Sequence, residues 1–441
     1  MDRPRRPVIP VRPVAGRPPA EALARIDWRW HWATLGWAPH RLGFFLALVV
    51  LGAASLWWAG VQAAPLAPWL VPPAALPPAV AHAAVMVFGF MPLFFAGFGF
   101  TALPKWLEVQ PWPVRVLCAP LVLQALGWLA WLGGAMASPA LAWAGLGAAW
   151  LGLGGAGALL AWLVWCSPLA DRLHARLIVA AWGLGWLCLA ALGLAAWRGD
   201  FAQAQALARA GLWGFVLVVF AAALHRMIPF FTSSAMPGIA ARRPFWVLAL
   251  MVGAAWGEAG AVLAGAWWPL SAPVLLLRGV LELAVGAVLL WLAGVWWRVL
   301  GLKNRLLAML HAGFVWLGLA WVLGGAAHAW HGWQGWQGAA VWPLAMLHAL
   351  ALGCMGALML AMVSRVSCGH GGRPLVADGP LWSLFWLLQG AVLLRLAAAL
   401  WPAWGAALLS WAALLWAAAV LAWGLRMGRW YGRPRADGRP G

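Results

Sequence analysis

Long apolar stretches dominate the chain from about residue 41 onward. A helix that crosses a bilayer needs about 20 mostly apolar residues, and twelve stretches of that length alternate with short polar or Pro-rich segments. The pattern therefore predicts an all-α, polytopic integral membrane bundle of twelve helices. The predicted spans are 41–62, 79–103, 113–134, 139–166, 175–197, 207–229, 244–267, 272–297, 303–325, 340–363, 380–401 and 403–427.

The positions of Lys and Arg support this alternation. If the N-terminus is cytoplasmic, 25 of the 29 Lys and Arg residues fall in the inner segments, as the positive-inside rule expects. The outer side and outer membrane half keep only Arg198, Arg209, Arg278 and Arg395. Both termini are therefore predicted to be cytoplasmic, and the outer loops 63–78 and 326–339 contain no Lys, Arg, Asp or Glu.

The predicted organisation has three parts. Residues 1–40 form a cytoplasmic Pro- and Arg-rich tail, which has no apolar run and is therefore not a cleavable signal peptide. Residues 41–427 form a single transmembrane domain, and residues 428–441 form a basic cytoplasmic tail.

Composition excludes several classes of protein. Of the 441 residues 65% are hydrophobic and 9% charged, against roughly 25% charged in soluble proteins, so the chain is neither an ordinary soluble enzyme nor a disordered protein. The formal net charge is +19, but the basic residues lie between apolar runs, so we expect no nucleic acid partner. The five cysteines show no CxxC spacing and predict no disulfide framework. The expected environment is the lipid bilayer.

Ionisable residues inside a membrane are costly and are candidates for function. His82 opens span two, and Met86 follows one turn later on the same face. This histidine is either a solvated cap or a ligand for a soft metal or a haem.

His348 lies eight residues into span ten from the outer side, which is about 12 Å deep. Met355, Met359 and Met362 follow it at helical spacing, which predicts one face of His and Met. Core packing explains the methionines alone. A neutral imidazole at that depth needs a partner, and metal ligation is a common use of it.

His311 lies eight residues into span nine from the inner side. In a core of about 30 Å, its level differs from that of His348 by roughly 6 Å. We therefore expect His311 and His348 to reach the same haem or metal, with His82 one to two turns above His348.

Charged residues also occur within the predicted spans. Arg278 and Glu282 are four residues apart on one face of span eight, which predicts an ion pair. Glu258 and Arg395 lie in the outer half of spans seven and eleven. These groups either neutralise one another, or Arg278 and Arg395 bind haem propionates or line a path for an anion.

The other histidines and one cysteine lie at predicted span ends or in loops. Cys368 and His370 fall in an inner, Gly-rich loop, 364–374, where they either bind a metal together or are solvated. His225 ends span six. The histidines expected to meet water or lipid headgroups are His40, His174, His328 and His331.

Five segments resemble those of the NnrS family of bacterial inner-membrane proteins. They are PHRLGFF at 39–45, His82 together with GFGFTALPKW at 97–106, RMIPFFT at 226–232, HAGFVW at 311–316, and HALALG at 348–353 continuing through MVSRVSCGHGGRPL at 362–375. The matches occur in order on successive spans and cover about residues 38–425.

The resemblance implies a twelve-span protein of the bacterial inner membrane that holds haem and copper and protects against nitric oxide or nitrosative stress. Carried over by position, it makes His82, His311, His348 and His370 the metal-ligand candidates, with Arg226 and Arg365 as motif arginines. Many members begin span two with H-x-H-E, where this chain has His82-Ala83-Ala84-Val85. A second ligand and a carboxylate are therefore missing, which weakens the case for copper.

Two other functions are alternatives at this point. A haem-copper oxidase or nitric oxide reductase packs closely spaced pairs of metal-binding histidines into the membrane, whereas no predicted span here holds two histidines. A secondary transporter would show a repeat with paired broken helices. Pro92 and Pro229 are possible kinks, but we find no matching halves. The sequence assigns no catalytic residue.

Overall fold

The computed structural model describes residues 26–64, 67, 74–235, 244–300, 303–334 and 342–439. Twelve helices in these ranges are long and apolar enough to cross a membrane, which confirms the predicted all-α bundle. The regular helices are α1 Pro39–Ala63, α3 Val114–Ala137, α4 Pro139–Trp165, α5 Leu173–Trp197, α7 Phe245–Trp267, α8 Ala272–Leu300, α9 Arg305–Gln334, α11 Gly379–Leu400 and α12 Gly405–Tyr431.

The remaining three helices are irregular. Helix α2 comprises Pro78–Phe88 and Phe90–Leu107, α6 comprises Phe201–Gly211, Leu212–Leu217 and Val218–Ala235, and α10 comprises Trp342–His348, Ala349–Gly356 and Ala357–His370. The middle segments of α6 and α10 are π-helical. These three helices are the most enclosed. In an apolar stretch of 18 residues within each, 78%, 94% and 78% of the residues are buried. They form the centre of the bundle.

Proline chemistry explains the break in α2. Pro92 has no N–H, so it cannot donate to the carbonyl of Phe88 four residues earlier. Gln124 of α3 donates its side-chain amide to that carbonyl instead, at 3.4 Å. Gly89 lies at the break with φ −84° and ψ −86°. The predicted kink at Pro92 is confirmed, and α6 continues past Pro229 to Ala235.

An aspartate side chain caps the N-terminus of two of the helices. The Asp200 carboxylate accepts the backbone N–H of Gln203 at the start of α6, at 2.9 Å. Asp378 does the same for Leu381 at the start of α11, at 3.2 Å. Arg426 of α12 also donates to Asp378, at 2.9 Å for one of its bonds, and this bond lowers the pKa of the Asp378 carboxyl. The start of α11 and the end of α12 are thereby joined.

The segments before α1 and after α12 lie on the same side of the bundle. The backbone N–H of His31 donates to the Gly432 carbonyl at 2.8 Å, and the Trp30 indole donates to the Gly428 carbonyl at 3.0 Å. Helix α12 continues to Tyr431, so the predicted tail boundary at residue 428 is a few residues early. That this side is cytoplasmic stays a prediction of the Lys and Arg distribution, and residues 1–25 of the predicted tail lie outside the described residues.

Glycines let neighbouring helices approach closely, as small residues do in membranes. A Cβ built on Gly145 of α4 would lie 2.6 Å from the Gly127 carbonyl and the Trp131 nitrogen of α3. A Cβ on Gly325 of α9 would lie 2.7 Å from the Gly279 carbonyl of α8. Neither contact can be relieved by a side-chain rotation, because both involve backbone atoms.

We expect Gly145→Leu to lower the free energy of unfolding by about 1–3 kcal/mol or more, because the new side chain forces α3 and α4 apart. Thermal unfolding of the purified protein in detergent measures the loss. Gly147→Leu is the matched control, since a Cβ at Gly147 meets no atom within 4 Å. Equal stability of the two variants would show that close approach at Gly145 is unimportant.

Candidate functional site: a cavity lined by histidines and arginines

A cavity of about 360 Å³ lies among α1, α2, α6, α10, α11 and α12. Its wall includes His82, His348, Arg209 and Arg395. Counted from the helix ends on one side of the bundle, these residues lie roughly 6 to 12 Å deep. That side is the predicted outer side. The structure thus brings together three of the residues singled out in the sequence and adds Arg209.

His348 has a fixed orientation and a defined tautomer. Its Nδ1 lies 2.7 Å from the Leu344 carbonyl, and a carbonyl only accepts, so Nδ1 carries the proton. The lone pair is therefore on Nε2. A histidine that donates one ring N–H to a carbonyl and offers the other nitrogen is the usual arrangement of a metal-bound imidazole.

His82 is held by stacking. Its ring lies 3.8 Å from the Trp58 ring of α1, with 15° between the planes. The His82 Nδ1 is buried and has no hydrogen-bond partner among the described residues. An unpartnered polar atom inside a membrane protein is costly, so the His82 Nδ1 is a candidate ligand-binding atom.

Arg209 and Arg395 give the cavity two positive charges. Neither arginine forms an ion pair within the described parts of the chain, and the residues that line the cavity include no Asp or Glu. Most of the remaining lining is apolar, including Met86, Met91 and Met355. The cavity therefore suits a ligand with a large apolar body and two negative charges.

Sequence reasoning did not select Arg209 as a site residue. A signal was available, because Gln205 and Arg209 are four residues apart at the outer end of span six, which places them on one helix face. Both residues line the cavity. Without the neighbouring helices, that face could not be assigned to the interior.

The irregular helices shape the cavity wall. Ala351, Leu352 and Met355 line it from the π-helical segment of α10, and Leu212 lines it from the start of the π-helical segment of α6. Such π-helical segments are frequent at functional sites.

Arg278 lies apart from this cavity, in an ion cluster formed by α7, α8 and α9. It donates from Nε to Glu258 at 3.1 Å and to Glu282 at 2.9 Å. The Nδ1 of His328 lies 2.8 Å from the other Glu282 oxygen. The predicted pair of Arg278 and Glu282 is thus confirmed. Arg278 and the two carboxylates neutralise one another. The expected contact of Arg278 with a haem propionate therefore has no support.

His311 also lies apart from the cavity, beside Trp297 with the ring centres 5.6 Å apart. A Cβ on Gly313 would meet Leu358, and one on Gly324 would meet Met346. This register places His311 level with residue 360 of α10, about 18 Å along the helix from His348. The predicted difference of 6 Å was wrong because the helices extend well beyond the predicted spans.

His370 is paired with a different residue from the one expected. Residues 364–370 belong to α10 rather than to a loop, so Cys368 and His370, two residues apart on a helix, do not face each other. The His370 ring instead lies 4.5 Å from the His40 ring. Both residues lie at the end of the bundle opposite to the cavity. Among the described residues, no group of three or more His, Cys, Asp and Glu residues is placed to hold a metal ion.

Several histidines expected to meet water are buried. The structure buries His40, His174, His328 and His331, each with less than a tenth of its surface exposed. His174 Nε2 lies 2.9 Å from His225 Nδ1. His328 and His331 belong to α9 together with His311, so the expectation that no span holds two histidines was wrong. The end of span nine was placed nine residues too early, because His, Trp and Gln there are less apolar.

We expect Arg278→Leu to lower the free energy of unfolding by about 3–5 kcal/mol, because it leaves two buried carboxylates without a cation. Replacing Glu258, Arg278 and Glu282 together by Leu should recover much of that loss. Thermal unfolding of the single and triple variants measures both effects. An Arg278→Leu protein as stable as the parent would contradict a structural role for the cluster.

Family comparison agrees with this architecture. The chain matches the NnrS family, described as NnrS protein, over residues 35–435, which includes all twelve spans and both cavity histidines. No curated protein matches the chain. Because the match covers most of the chain, this protein belongs to the NnrS family and is a multi-pass membrane protein related to the nitric oxide response.

Proposed function

We propose that this protein binds haem in the cavity among α1, α2, α6, α10, α11 and α12 and acts in protection against nitric oxide and nitrosative stress in the bacterial inner membrane. The observation that carries the proposal is the convergence of two histidines and two unpaired arginines in one largely apolar cavity. Family membership supports the connection to nitric oxide.

The donor set fits the chemistry of haem. His348 offers Nε2, and the Leu344 carbonyl fixes the ring that carries it. His82 is the second imidazole of the cavity, and its stacking on Trp58 limits its rotation. His348 and His82 would hold the haem, with His348 Nε2 as the candidate iron ligand.

Arg209 and Arg395 match the two carboxylates that a haem carries. Charge-assisted hydrogen bonds between a guanidinium and a carboxylate are among the stronger ones in proteins. Binding to a haem carboxylate breaks no existing ion pair, because the two arginines have no ionic partner in the described residues. Arg278 is not part of this proposal, since Glu258 and Glu282 already occupy it.

A haem iron with an open or displaceable axial position binds nitric oxide, and the polarity and access of the surrounding pocket decide the fate of the bound gas. The residues of this chain supply a water-poor surrounding for that event, with Met86, Met91 and Met355 in the wall. Nitric oxide is small and uncharged, so it reaches this depth without a polar channel.

Copper is left out of the proposal. The rings of His40 and His370 are neighbours and offer two imidazoles. The second histidine and the glutamate of the family's H-x-H-E motif, which would be further ligands, are missing from this chain. In the described residues no third His, Cys, Asp or Glu completes a site there.

The purified protein should show a Soret band at near-stoichiometric haem. His348→Ala should lose most of that band, and His82→Ala should shift it. His311→Ala is the matched control and should leave the spectrum unchanged, because His311 lies about 18 Å along the helix axis from His348. Absorption spectra with metal analysis, followed by nitric oxide titration, measure these outcomes.

A folded protein that is colourless and free of metal would contradict the haem proposal. The two arginines would then favour the transport of an amphiphilic anion, the second function that the cavity supports. A His348→Ala variant with the parent spectrum would contradict the assignment of His348 as the iron ligand.

Each of Arg209→Gln and Arg395→Gln should weaken haem binding roughly ten- to a hundredfold, since a charged hydrogen bond contributes about 1.5–3 kcal/mol. Competition for haem with an apo-protein of known affinity measures the change. Arg198→Gln, at the end of α5 and outside the cavity wall, is the control. Unchanged affinity in both cavity variants would remove the arginines from the site.

A further inference from the structure

A second, smaller cavity of about 50 Å³ lies directly inward of the first. Met91 lines both cavities, so the two cavities adjoin at this side chain. The far end of the second cavity is formed by Phe44, Phe98 and Val366, near the ends of α1, α2 and α10 on the predicted cytoplasmic side. The two cavities therefore succeed each other through the thickness of the bundle.

Helix α10 connects the two cavities with methionines. Met355 lines the first cavity, and Met359 and Met362 line the second. The His and Met face predicted from the sequence is therefore distributed over both spaces. Methionine is unbranched and changes rotamer easily, so Met91 and the methionines of α10 can move aside without a backbone shift.

The second cavity suits an uncharged, apolar occupant. All of its lining residues are apolar, and a buried water needs two to four polar partners, which this wall does not provide. One water molecule needs about 10–15 Å³ of cavity space on this measure, so a cavity of about 50 Å³ accepts a molecule of diatomic size. Apolar protein cavities of this kind stay dry and bind small apolar guests such as xenon.

We propose that the second cavity is a binding and transit site for an uncharged diatomic gas on its way to the first cavity, with Met91 as the movable side chain between them. The inference rests on the proposed function for the identity of the gas, nitric oxide. The binding of an apolar guest in the second cavity does not depend on haem.

Two substitutions on α6 test the transit site with the same change of side chain. Ala223 lines the second cavity, whereas Ala221, two residues earlier, lines a third cavity. The third cavity shares Phe220 with the second and no lining residue with the first. Both alanines are buried, so Phe at either position overpacks the core to a similar extent. Ala223→Phe fills the transit site, and Ala221→Phe is the matched control.

The first readout is xenon binding to the purified protein, measured by ¹²⁹Xe NMR. The parent and Ala221→Phe should bind xenon at this site, and Ala223→Phe should lose that binding. The second readout is the association rate of nitric oxide after flash photolysis of the haem-loaded protein. Ala223→Phe should slow association several-fold with the haem spectrum unchanged, and Ala221→Phe should not.

Absence of xenon from the parent site, or equal slowing by Ala221→Phe and Ala223→Phe, would overturn the proposal. If the protein proves to hold no haem, the proposed function fails, and the xenon experiment still decides whether the cavity takes an apolar guest. If Ala223→Phe does not fold, Gly99→Leu replaces it. Gly99 lines the same cavity, and a Cβ there meets only the Leu160 and Leu103 side chains, at 3.5 and 3.7 Å.

Discussion

The absence of water in the membrane interior is the constraint on which this structure depends. In hydrocarbon each unpartnered polar group costs several kcal/mol, so every buried charge needs a partner within the protein or a bound ligand. Arg278 meets this requirement with Glu258 and Glu282. The cavity does not meet it, because Arg209, Arg395 and the His82 Nδ1 have no such partner in the described residues. That contrast makes the cavity the candidate place for a bound ligand.

The central helices combine burial with irregular backbone. Regular helices would satisfy all their own hydrogen bonds, yet α2 breaks at Gly89, and α6 and α10 each contain a π-helical segment. Non-helical backbone at membrane depth is tolerated where it lies inside protein or beside a cavity. The Gln124 amide, which replaces the donor that Pro92 lacks, shows how the surrounding helices make this possible. His348, Leu212 and Met355, which lie in or next to the π-helical segments, line one cavity.

Much of the fold was accessible from the sequence. Apolar length gave twelve spans, and helical spacing gave the contact between Arg278 and Glu282, because both depend on local periodicity. His82, His348 and Arg395 were selected for their depth, and they do meet. The failures were of a different kind. His311 was grouped with His348 because the spans were drawn too short, and His328 was placed in a loop for the same reason. Arg209 required knowledge of which face of α6 points inward. The π-helical segments, which decide where Met359 and Met362 lie, have no signal in residue spacing.

The central claim is that the unpaired imidazoles and arginines of the cavity are completed by haem. A cryo-electron microscopy map of the protein purified from its native membrane tests this most directly. The account predicts planar density of a macrocycle in the cavity, joined to His348 Nε2 and flanked by Arg209 and Arg395. A map in which the cavity holds lipid or solvent, with the haem elsewhere or absent, would contradict it.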